Sequence, residues 1–329
     1  MQDFLIVGVD VSQDTLDIHF KPSGNSLRIE NETAGFKRLL SALRKESTSH
    51  PRLMVVMEHT GHYSHRLEKF LLANGIDFCK LSALHIKRSA GLIRGKDDKA
   101  DARRIAEYGW LRRDELQPHV MCTTEVAALK NLMSLRAKLV KDRAGYKTRL
   151  KGMLTTGTCT TGDLLFSVQN TVIKELTVHI KVIEQQIKAI IVASPLLKNN
   201  YELLCSIKGV GFVIAAYMIS CTENFQKFAS ARKFNCYAGL APFKHESGTS
   251  IKGKSKVSHL ANKEAKALLG LAANSAIQYN EELKAYYNRR IKEGKLAWSS
   301  KNIVKAKIVA RMFAVVKRQT PYQPLPKAA

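Results

Sequence analysis

Four carboxylates lie where predicted strands end or where a predicted helix begins, and a fold can bring such positions together. They are Asp10, Glu58, Asp98 and Asp101. The first two each follow an apolar run that is typical of a buried strand, residues 4–9 and residues 53–57. The last two lie three residues apart at a helix start, so they share one helix face. Carboxylates delivered by three separate elements are suited to hold hard divalent cations, which prefer oxygen ligands.

The acidic pair at the helix start contains one ambiguity. Asp97 lies four residues before Asp101, and this spacing also places two side chains on one helix face. Spacing alone therefore leaves Asp97 and Asp98 as alternatives. Taken singly, each acid also fits a structural role, such as a helix cap for Asp98. The combination of acids in this order favours a metal site.

The chain is strongly basic, with 53 Lys and Arg against 28 Asp and Glu in 329 residues and a formal net charge of +25. Such an excess is typical of proteins that bind nucleic acid or an anionic membrane. No apolar run approaches the roughly 18 residues of a membrane-spanning helix. Residues 1–3 lack the positive start of a signal peptide. We therefore expect a cytoplasmic protein with no membrane partner and with metal-assisted chemistry on nucleic-acid phosphates.

Residues 1–115 are predicted to form a mixed α/β domain. The predicted strands are residues 4–11, 15–20, 26–30, 53–57 and 77–81, and the predicted helices are residues 34–44, 63–73 and 101–111. This order matches the ribonuclease-H-like topology, in which acids at strand ends and on a later helix converge.

Residues 116–200 are predicted to form a helical hairpin with its turn at Thr155–Gly162. Apolar residues keep a seven-residue register from Leu132 to Met153, and then step by three and four from Ile173 to Ile190. Both patterns are typical of a coiled coil. An ordinary two-helix core element is the alternative, and the partner of the seam is either the other arm or a second subunit.

Residues 201–329 are predicted to be mostly helical. Residues 203–220 have the pattern of an apolar helix, a G-x-G turn and a second helix, which is typical of a helix-hairpin-helix that binds a DNA phosphate through turn amides. A tight turn without a ligand is the alternative. The candidate nucleic-acid contacts in this region are Lys208, Gly209, Gly211, Lys244, Lys252, Lys254, Lys256, Arg289, Arg290, Lys305 and Arg311.

Ser247 is a candidate nucleophile in a predicted loop, residues 237–248, that lies among lysines. A serine that attacks phosphorus needs cations to stabilise the charge on the phosphoryl oxygens. In isolation, a serine before glycine is more often a turn residue. Zinc is not expected, because the six cysteines form no C-x-x-C pair and the histidines at 59, 62 and 65 have no cysteine beside them.

Motifs across nearly the whole chain resemble those of the DEDD insertion-sequence transposases, a family that includes Piv-type DNA invertases and bridge-RNA-guided recombinases. The motifs are Val9-Asp10-Val11-Ser12, Met57-Glu58-His59-Thr60-Gly61, Lys96-Asp97-Asp98-Lys99-Ala100-Asp101-Ala102, the apolar helix and G-x-G of Leu203–Gly211, and Tyr-Ala-Gly-Leu-Ala-Pro followed by Ser-Gly in Tyr237–Gly248. The chain departs from the family at His59, where a small residue is more usual, and at Lys208, which replaces a proline.

The resemblance implies a RuvC-like domain, a coiled-coil middle region and a C-terminal transposase domain. It implies that Asp10, Glu58, Asp98 and Asp101 hold Mg²⁺ or Mn²⁺, since the pattern K-x-D-x-x-D-A favours Asp98 over Asp97. It also implies Ser247 as the nucleophile, assembly as homodimers or homotetramers, and a structured noncoding guide RNA that selects donor and target DNA.

The expected function is therefore that of a transposase or site-specific DNA recombinase that forms a serine–DNA phosphodiester. The alternatives are a protein-only Piv-like invertase, a RuvC-like junction nuclease that uses water, and a non-catalytic nucleic-acid-binding protein. A sugar-kinase or actin-like ATPase is disfavoured, because Val11–Thr15 contains no Gly-rich phosphate loop.

Overall fold

The computed structural model describes residues 4–48, 50–59, 61–89, 98–247 and 251–324, without the side chains of residues 98, 99, 244–247, 251, 252 and 254. The chain divides into two compact units, Met1–Met121 and Cys122–Ala329. Asp97 lies outside the described residues. Among the described helices, none combines the length and the apolar character that a membrane crossing requires.

The first unit is a mixed α/β unit. Its elements are β1 (Phe4–Val11), β2 (Thr15–Lys21), β3 (Ser26–Glu30), α1 (Thr33–Ser47), β4 (Arg52–Glu58), α2 (His65–Ala73), β5 (Phe78–Leu81), α3 (Ala83–Ser89) and α4 (Asp98–Leu111). The sheet order is β3-β2-β1-β4-β5. The first three strands are antiparallel neighbours, whereas β4 and β5 run parallel to β1. The five predicted strands are confirmed, and the arrangement is consistent with a ribonuclease-H-like domain.

The two faces of this sheet pack against different helices, because successive side chains of a strand point to opposite faces. On one face, Val7 and Val9 of β1 join a core with Leu39 of α1. On the other face, Ile6 of β1 packs with Ile105 of α4. The face that α4 covers is therefore the face that also includes Gly8 and Asp10.

The second unit is mostly helical. Its elements are α5 (Thr124–Thr155), α6 (Leu164–Ala193), α7 (Pro195–Cys205), α8 (Phe212–Cys221), α9 (Ala231–Tyr237), β6 (Pro242–Ser247), β7 (Ile251–Val257), α10 (Lys263–Tyr279), α11 (Glu281–Lys292) and α12 (Ala297–Arg318). The helical hairpin forms as expected from α5 and α6, whose arms pack against each other.

The apolar seam of α6 is buried within this unit at Ile180 and Ile187, and Arg136 of α5 lies 2.7 Å from Glu184 of α6 between Nη2 and Oε1. These contacts join the two arms of one hairpin. The base of the hairpin, which includes Ile187, shares a hydrophobic core with the helices that follow it. The coiled-coil description and the three-part division at residues 115 and 200 stay predictions.

The segment that was expected to be a loop contains a strand. Pro242–Ser247 forms β6, which pairs antiparallel with β7 and has an irregular register between Phe243 and His245. The local pattern did not predict this pairing, because a short two-stranded hairpin is stabilised by its cross-strand partner and by its attachment to the fold. Ser247 therefore ends a strand, directly before residues 248–250.

Candidate active site

The strand register brings two of the predicted acids to the same edge of the sheet. β1 and β4 are parallel neighbours with Val9 paired to Met57, so Asp10 and Glu58 are the next residues on the two strands. Both residues are partly buried. Because the pairing is in phase, Asp10 and Glu58 belong to the face on which α4 lies.

The backbone of α4 touches the backbone of β1 at Gly8. A Cβ atom at Gly8 would lie only 2.4 Å from the carbonyl oxygen of Ala102 and 2.4 Å from the nitrogen of Ala106. Further along the helix, a Cβ atom at Gly109 would lie 2.9 Å from Cγ2 of Ile6. The strand and the helix therefore run in opposite directions, and glycine is required where their backbones meet.

This contact fixes the level of Asp10 relative to α4. A strand rises about 3.3 Å per residue and a helix about 1.5 Å, so two strand residues match about four helix residues. Gly8 lies level with residues 102–106. Asp10 is consequently level with about residues 98–101, the first turn of α4. The backbone thus places Asp10, Glu58 and the acidic helix start at one place.

The charges of two of these acids interact. Burial raises the pKa of Glu58 above its ordinary value, and the negative charge of Asp101 raises it further. Oδ1 of Asp101 accepts a hydrogen bond from Nη1 of Arg104 at 2.5 Å. Two carboxylates that repel each other at the edge of a sheet form an oxygen-rich site that a hard divalent cation would stabilise. The donor set therefore fits Mg²⁺ or Mn²⁺.

The described side chains do not complete a metal-binding group. Among them, no set of three or more His, Cys, Asp or Glu residues is arranged to hold a metal ion. The described side chains include those of Asp10, Glu58 and Asp101 but not that of Asp98, whose backbone begins α4. Coordination by all four acids stays a prediction.

Two buried polar residues of β2 belong to this site and were not predicted. Asp17 lies opposite Asp10 across the strand pair, is 6% exposed, and has its Oδ2 3.7 Å from Nε of Arg28. His19 is 4% exposed, and burial together with the positive charge of Arg103 lowers its pKa. The sequence predicted this strand but gave no role to its polar residues, which share the face of the sheet on which α4 packs.

A buried ion pair anchors the loop that follows Glu58. Oε1 of Glu68 accepts hydrogen bonds from Oγ of Ser64 at 2.5 Å and from Nζ of Lys80 at 2.6 Å. The other carboxylate oxygen lies 3.6 Å from Nδ1 of His65. Burial would raise the pKa of Glu68, but the hydrogen bonds from Lys80 and Ser64 keep it below its ordinary value. This network holds the start of α2 against β5.

Ser247 lies at the end of the β6–β7 hairpin, where its backbone pairs with Ile251. Its side chain lies outside the described residues, as do those of Lys244, Lys252 and Lys254. Lys256 is exposed and pairs through its backbone with Phe243, near the root of the hairpin. The structure therefore places a basic strand beside the predicted nucleophile's strand.

The predicted apolar helix, G-x-G turn and second helix form as α7, residues 206–211 and α8. Gly209 has a φ of +100°, and a Cβ there would lie 2.7 Å from the carbonyl oxygen of Ala272 in α10. Gly209 therefore has a packing role. Gly211 precedes α8 without a side-chain cap, and a Cβ there would meet no atom within 4 Å. Lys208 is exposed.

The predicted contact residue Arg311 is engaged by neighbouring side chains. Its Nη2 lies 2.7 Å from Oε2 of Glu282, its guanidinium stacks 4.8 Å from the ring centre of Tyr322, and its side chain is only 13% exposed. This charge is already paired inside the unit, and the phosphate contact of Arg311 stays a prediction. Arg289 remains exposed, with its Nε 3.6 Å from Oε1 of Glu293.

Arg290 shares Glu293 with Arg289, but it is less exposed. Its Nη1 lies 3.8 Å from Oε2 of Glu293, and its side chain is 24% exposed. Its Nε is buried without a hydrogen-bond partner among the described residues. Lys305 is partly buried between α10 and α12.

Comparison with known proteins decides the family. Residues 7–158 match the DEDD transposases of the IS110 type, and residues 201–288 match the transposases of the IS116/IS110/IS902 family. The chain belongs to the IS110 family of DEDD transposases. These matches cover both units, including the acidic residues of the first and the β6–β7 hairpin of the second.

Three relatives illustrate the range of this IS110-family protein's similarity. A pilin gene-inverting protein of Moraxella bovis is 25% identical over 96% of this chain and 97% of its own length. A transposase for insertion sequence element IS1111A of Coxiella burnetii is 25% identical over 98% of this chain and 92% of its own. An uncharacterised 43.6 kDa protein of insertion element IS110 in Streptomyces coelicolor is 29% identical over 44% of this chain and 34% of its own. The IS110-family protein is thus an enzyme of DNA recombination or transposition.

Proposed function

We propose that this transposase cleaves and exchanges DNA strands through a covalent link between Ser247 and DNA. The observation that supports the acidic half of this proposal is the meeting of Glu58 and Asp101, because burial raises the pKa of Glu58 and the negative charge of Asp101 raises it further. Asp10 stands level with the same helix turn. A divalent cation, Mg²⁺ or Mn²⁺, held there by Asp10, Glu58, Asp98 and Asp101 would stabilise negative charge on the phosphoryl and leaving oxygens.

In the proposed reaction, Oγ of Ser247 attacks the phosphorus and loses its proton. The bond between phosphorus and one DNA oxygen breaks, and that oxygen takes up a proton to become a strand-end hydroxyl. The phosphodiester is thereby transferred to serine without a change in the number of ester bonds. Attack by the hydroxyl of a second strand reverses the step and releases Ser247, which completes strand exchange without an external energy source.

Ser247 lies in the second unit and the acids lie in the first. In the proposed assembly, a homodimer or homotetramer supplies acids and serine from different subunits to one DNA end. Val178 and Val182 on α6 are 58% and 55% exposed, so the hairpin has an apolar strip for contact with another copy.

Two changes test the chemistry. Asp98→Ala and Ser247→Ala should each abolish recombination and leave DNA binding intact, because neither residue belongs to the proposed DNA-binding surface. Ser247→Ala should also remove the covalent protein–DNA adduct, which is measured by gel shift after denaturation. If Ser247→Ala still cleaves DNA and the wild-type protein forms no adduct, a RuvC-like nuclease that uses water is the better assignment.

The choice of DNA sites is a separate question. We propose that a structured noncoding RNA pairs with donor and target DNA, and that the protein binds mainly backbone and shape. Sequencing the RNA that copurifies from cells carrying the gene with its flanking DNA tests this. One discrete RNA encoded beside the gene supports guidance. Only random RNA supports a protein-only invertase. Since the substrate is DNA, the proposed place of action is the cytoplasm.

A further inference from the structure

Three lysines from two helices converge beside the segment that leads into the β6–β7 hairpin. Nζ of Lys305 in α12 donates a hydrogen bond to the backbone oxygen of Lys266 in α10 at 3.3 Å. Lys301 lies one helical turn before Lys305, on the same side of α12. Burial lowers the pKa of Lys305, and the positive charges of Lys266 and Lys301 lower it further. In the free protein the ammonium group of Lys305 is therefore repelled by those of Lys266 and Lys301.

No carboxylate neutralises this group among the described residues. The ion pairs of the described side chains do not include Lys266, Lys301 or Lys305. Most lysines on a protein surface avoid such repulsion by extending into water. Here Lys305 instead lies across α10, where a Cβ at Gly270 would be 3.4 Å from its Nζ. The backbone of Gly270 is therefore in contact with this ammonium group.

The lysines lie next to the root of the hairpin. A Cβ at Gly239 would lie 3.8 Å from Nζ of Lys266. Asn302, the neighbour of Lys301, donates a hydrogen bond from Nδ2 to the carbonyl oxygen of Leu240 at 2.8 Å. The segment that these residues hold continues directly into β6, which ends at Ser247.

We propose that Lys266, Lys301 and Lys305 form a binding site for one backbone phosphate of the DNA that Ser247 cleaves. This inference rests on the proposed function and adds a defined anchor for its substrate. A phosphate would replace the repulsion among three ammonium groups with three charge-assisted contacts. Ser247 comes seven positions after Leu240, which is at most about 23 Å of strand. The anchored phosphate then lies within about seven base pairs of the cleavage point, since each strand of duplex DNA advances 3.4 Å per phosphate.

The test compares DNA binding by variants that lack the three charges. In one variant all three lysines become glutamine, Lys266→Gln, Lys301→Gln and Lys305→Gln. A charge-matched control changes three exposed lysines on other helices, Lys37→Gln, Lys69→Gln and Lys198→Gln. Affinity for a duplex is measured without divalent metal at several salt concentrations, so cleavage does not contribute.

The loss of one phosphate contact should reduce the slope of log K against log salt by about 0.9 and weaken binding about tenfold at 0.1 M salt. The melting temperature should stay the same or rise, because repulsion is removed. The control should keep most of the wild-type slope. Gly270→Leu, which retains every charge but occupies the place of the Lys305 ammonium, should also weaken binding.

An unchanged slope in the triple variant, or an equal loss in the control, overturns the phosphate site while leaving the recombinase assignment intact. Weaker binding of an RNA duplex with unchanged DNA binding overturns the choice of DNA. If the wild-type protein binds no DNA at all, both the site and the proposed function fail. Trimming the duplex gives a further check. The difference between wild type and triple variant should persist while about seven or more base pairs remain beside the cleavage point, and it should vanish once trimming removes the anchored phosphate.

Discussion

Gly8→Ala is the substitution that most directly tests how the acidic site is assembled. The new methyl group would lie 2.4 Å from backbone atoms of Ala102 and Ala106, whereas ordinary contacts begin near 3.4 Å. Backbone atoms cannot rotate away, so α4 must move from β1 by about 1 Å. Asp101 moves with this helix. We therefore expect Gly8→Ala to impair catalysis although Gly8 is not itself a metal ligand.

Two opposing effects determine the result for stability. Replacing glycine by alanine restricts the unfolded chain and by itself stabilises a protein by about 0.4–1 kcal/mol. Overpacking costs about 1–3 kcal/mol, and the cost should be near the upper end because the contacts at Gly8 are with backbone. The net expectation is destabilisation of about 1–2 kcal/mol. A misplacement of about 1 Å in a catalytic group lowers a rate by about a hundredfold.

The assays are chemical denaturation, Mn²⁺ titration calorimetry and the rate of DNA cleavage. Gly145→Ala serves as the control, because a Cβ there meets no atom within 4 Å and the change should stabilise α5 by about 0.5–1 kcal/mol. Gly109→Ala presses on the movable methyl groups of Ile6 and Val56 at the same interface, so its effect should be smaller. A Gly8→Ala protein as stable and as active as wild type would refute the close packing of α4 against β1 at Gly8.

Three further changes probe the charge network and the assembly. Glu58→Gln should raise the melting temperature of the metal-free protein at pH 7, because a raised pKa means that ionised Glu58 opposes folding. Below pH 4.5, the ordinary pKa of a glutamate, Glu58 becomes protonated in both the folded and the unfolded state, so this gain should vanish there. The gain should also shrink when Mg²⁺ is added to the wild type. Equal gains at both pH values would contradict this reasoning. Lys80→Met leaves Glu68 buried without its cation and should cost about 3–5 kcal/mol in urea denaturation, most of which Glu68→Leu should restore in the double variant. Val182→Glu on the exposed strip of α6 should lower the mass measured by light scattering without changing the melting temperature, and an unchanged mass would exclude this strip from the interface.

The local hydrophobic pattern of the sequence was sufficient to predict most strands and helices of the first unit. Apolar runs end at Asp10 and Glu58, and both runs are strands in the structure. A strand or an amphipathic helix can be predicted from neighbouring residues, because its hydrophobic period of two or of 3.6 residues repeats within a short segment. The short helix α3 was missed, and so was the β6–β7 hairpin. Both are short elements, and their stability depends on contacts outside their own sequence.

The roles of individual polar residues depended on partners that are distant in the sequence. Asp17 alternates with apolar residues as a solvated side chain would, yet α4 buries it beside Asp10. Arg311 stands in a basic run, yet Glu282 engages its charge. Lys266 and Lys305 come from separate helices, and no spacing rule joins them.

By itself, the sequence determined the order of most strands and helices of the first unit, the basic character of the chain and the acids that are predicted to hold a metal ion. The tertiary structure decided which of those side chains lie close together, which are buried and which charges are paired within the fold. The physical reason is the distance along the sequence over which each kind of interaction acts. Periodicity and capping act over a few residues, whereas burial and electrostatic pairing depend on distance in space, as at Gly8, where a missing side chain lets a helix nearly a hundred residues away rest on a strand.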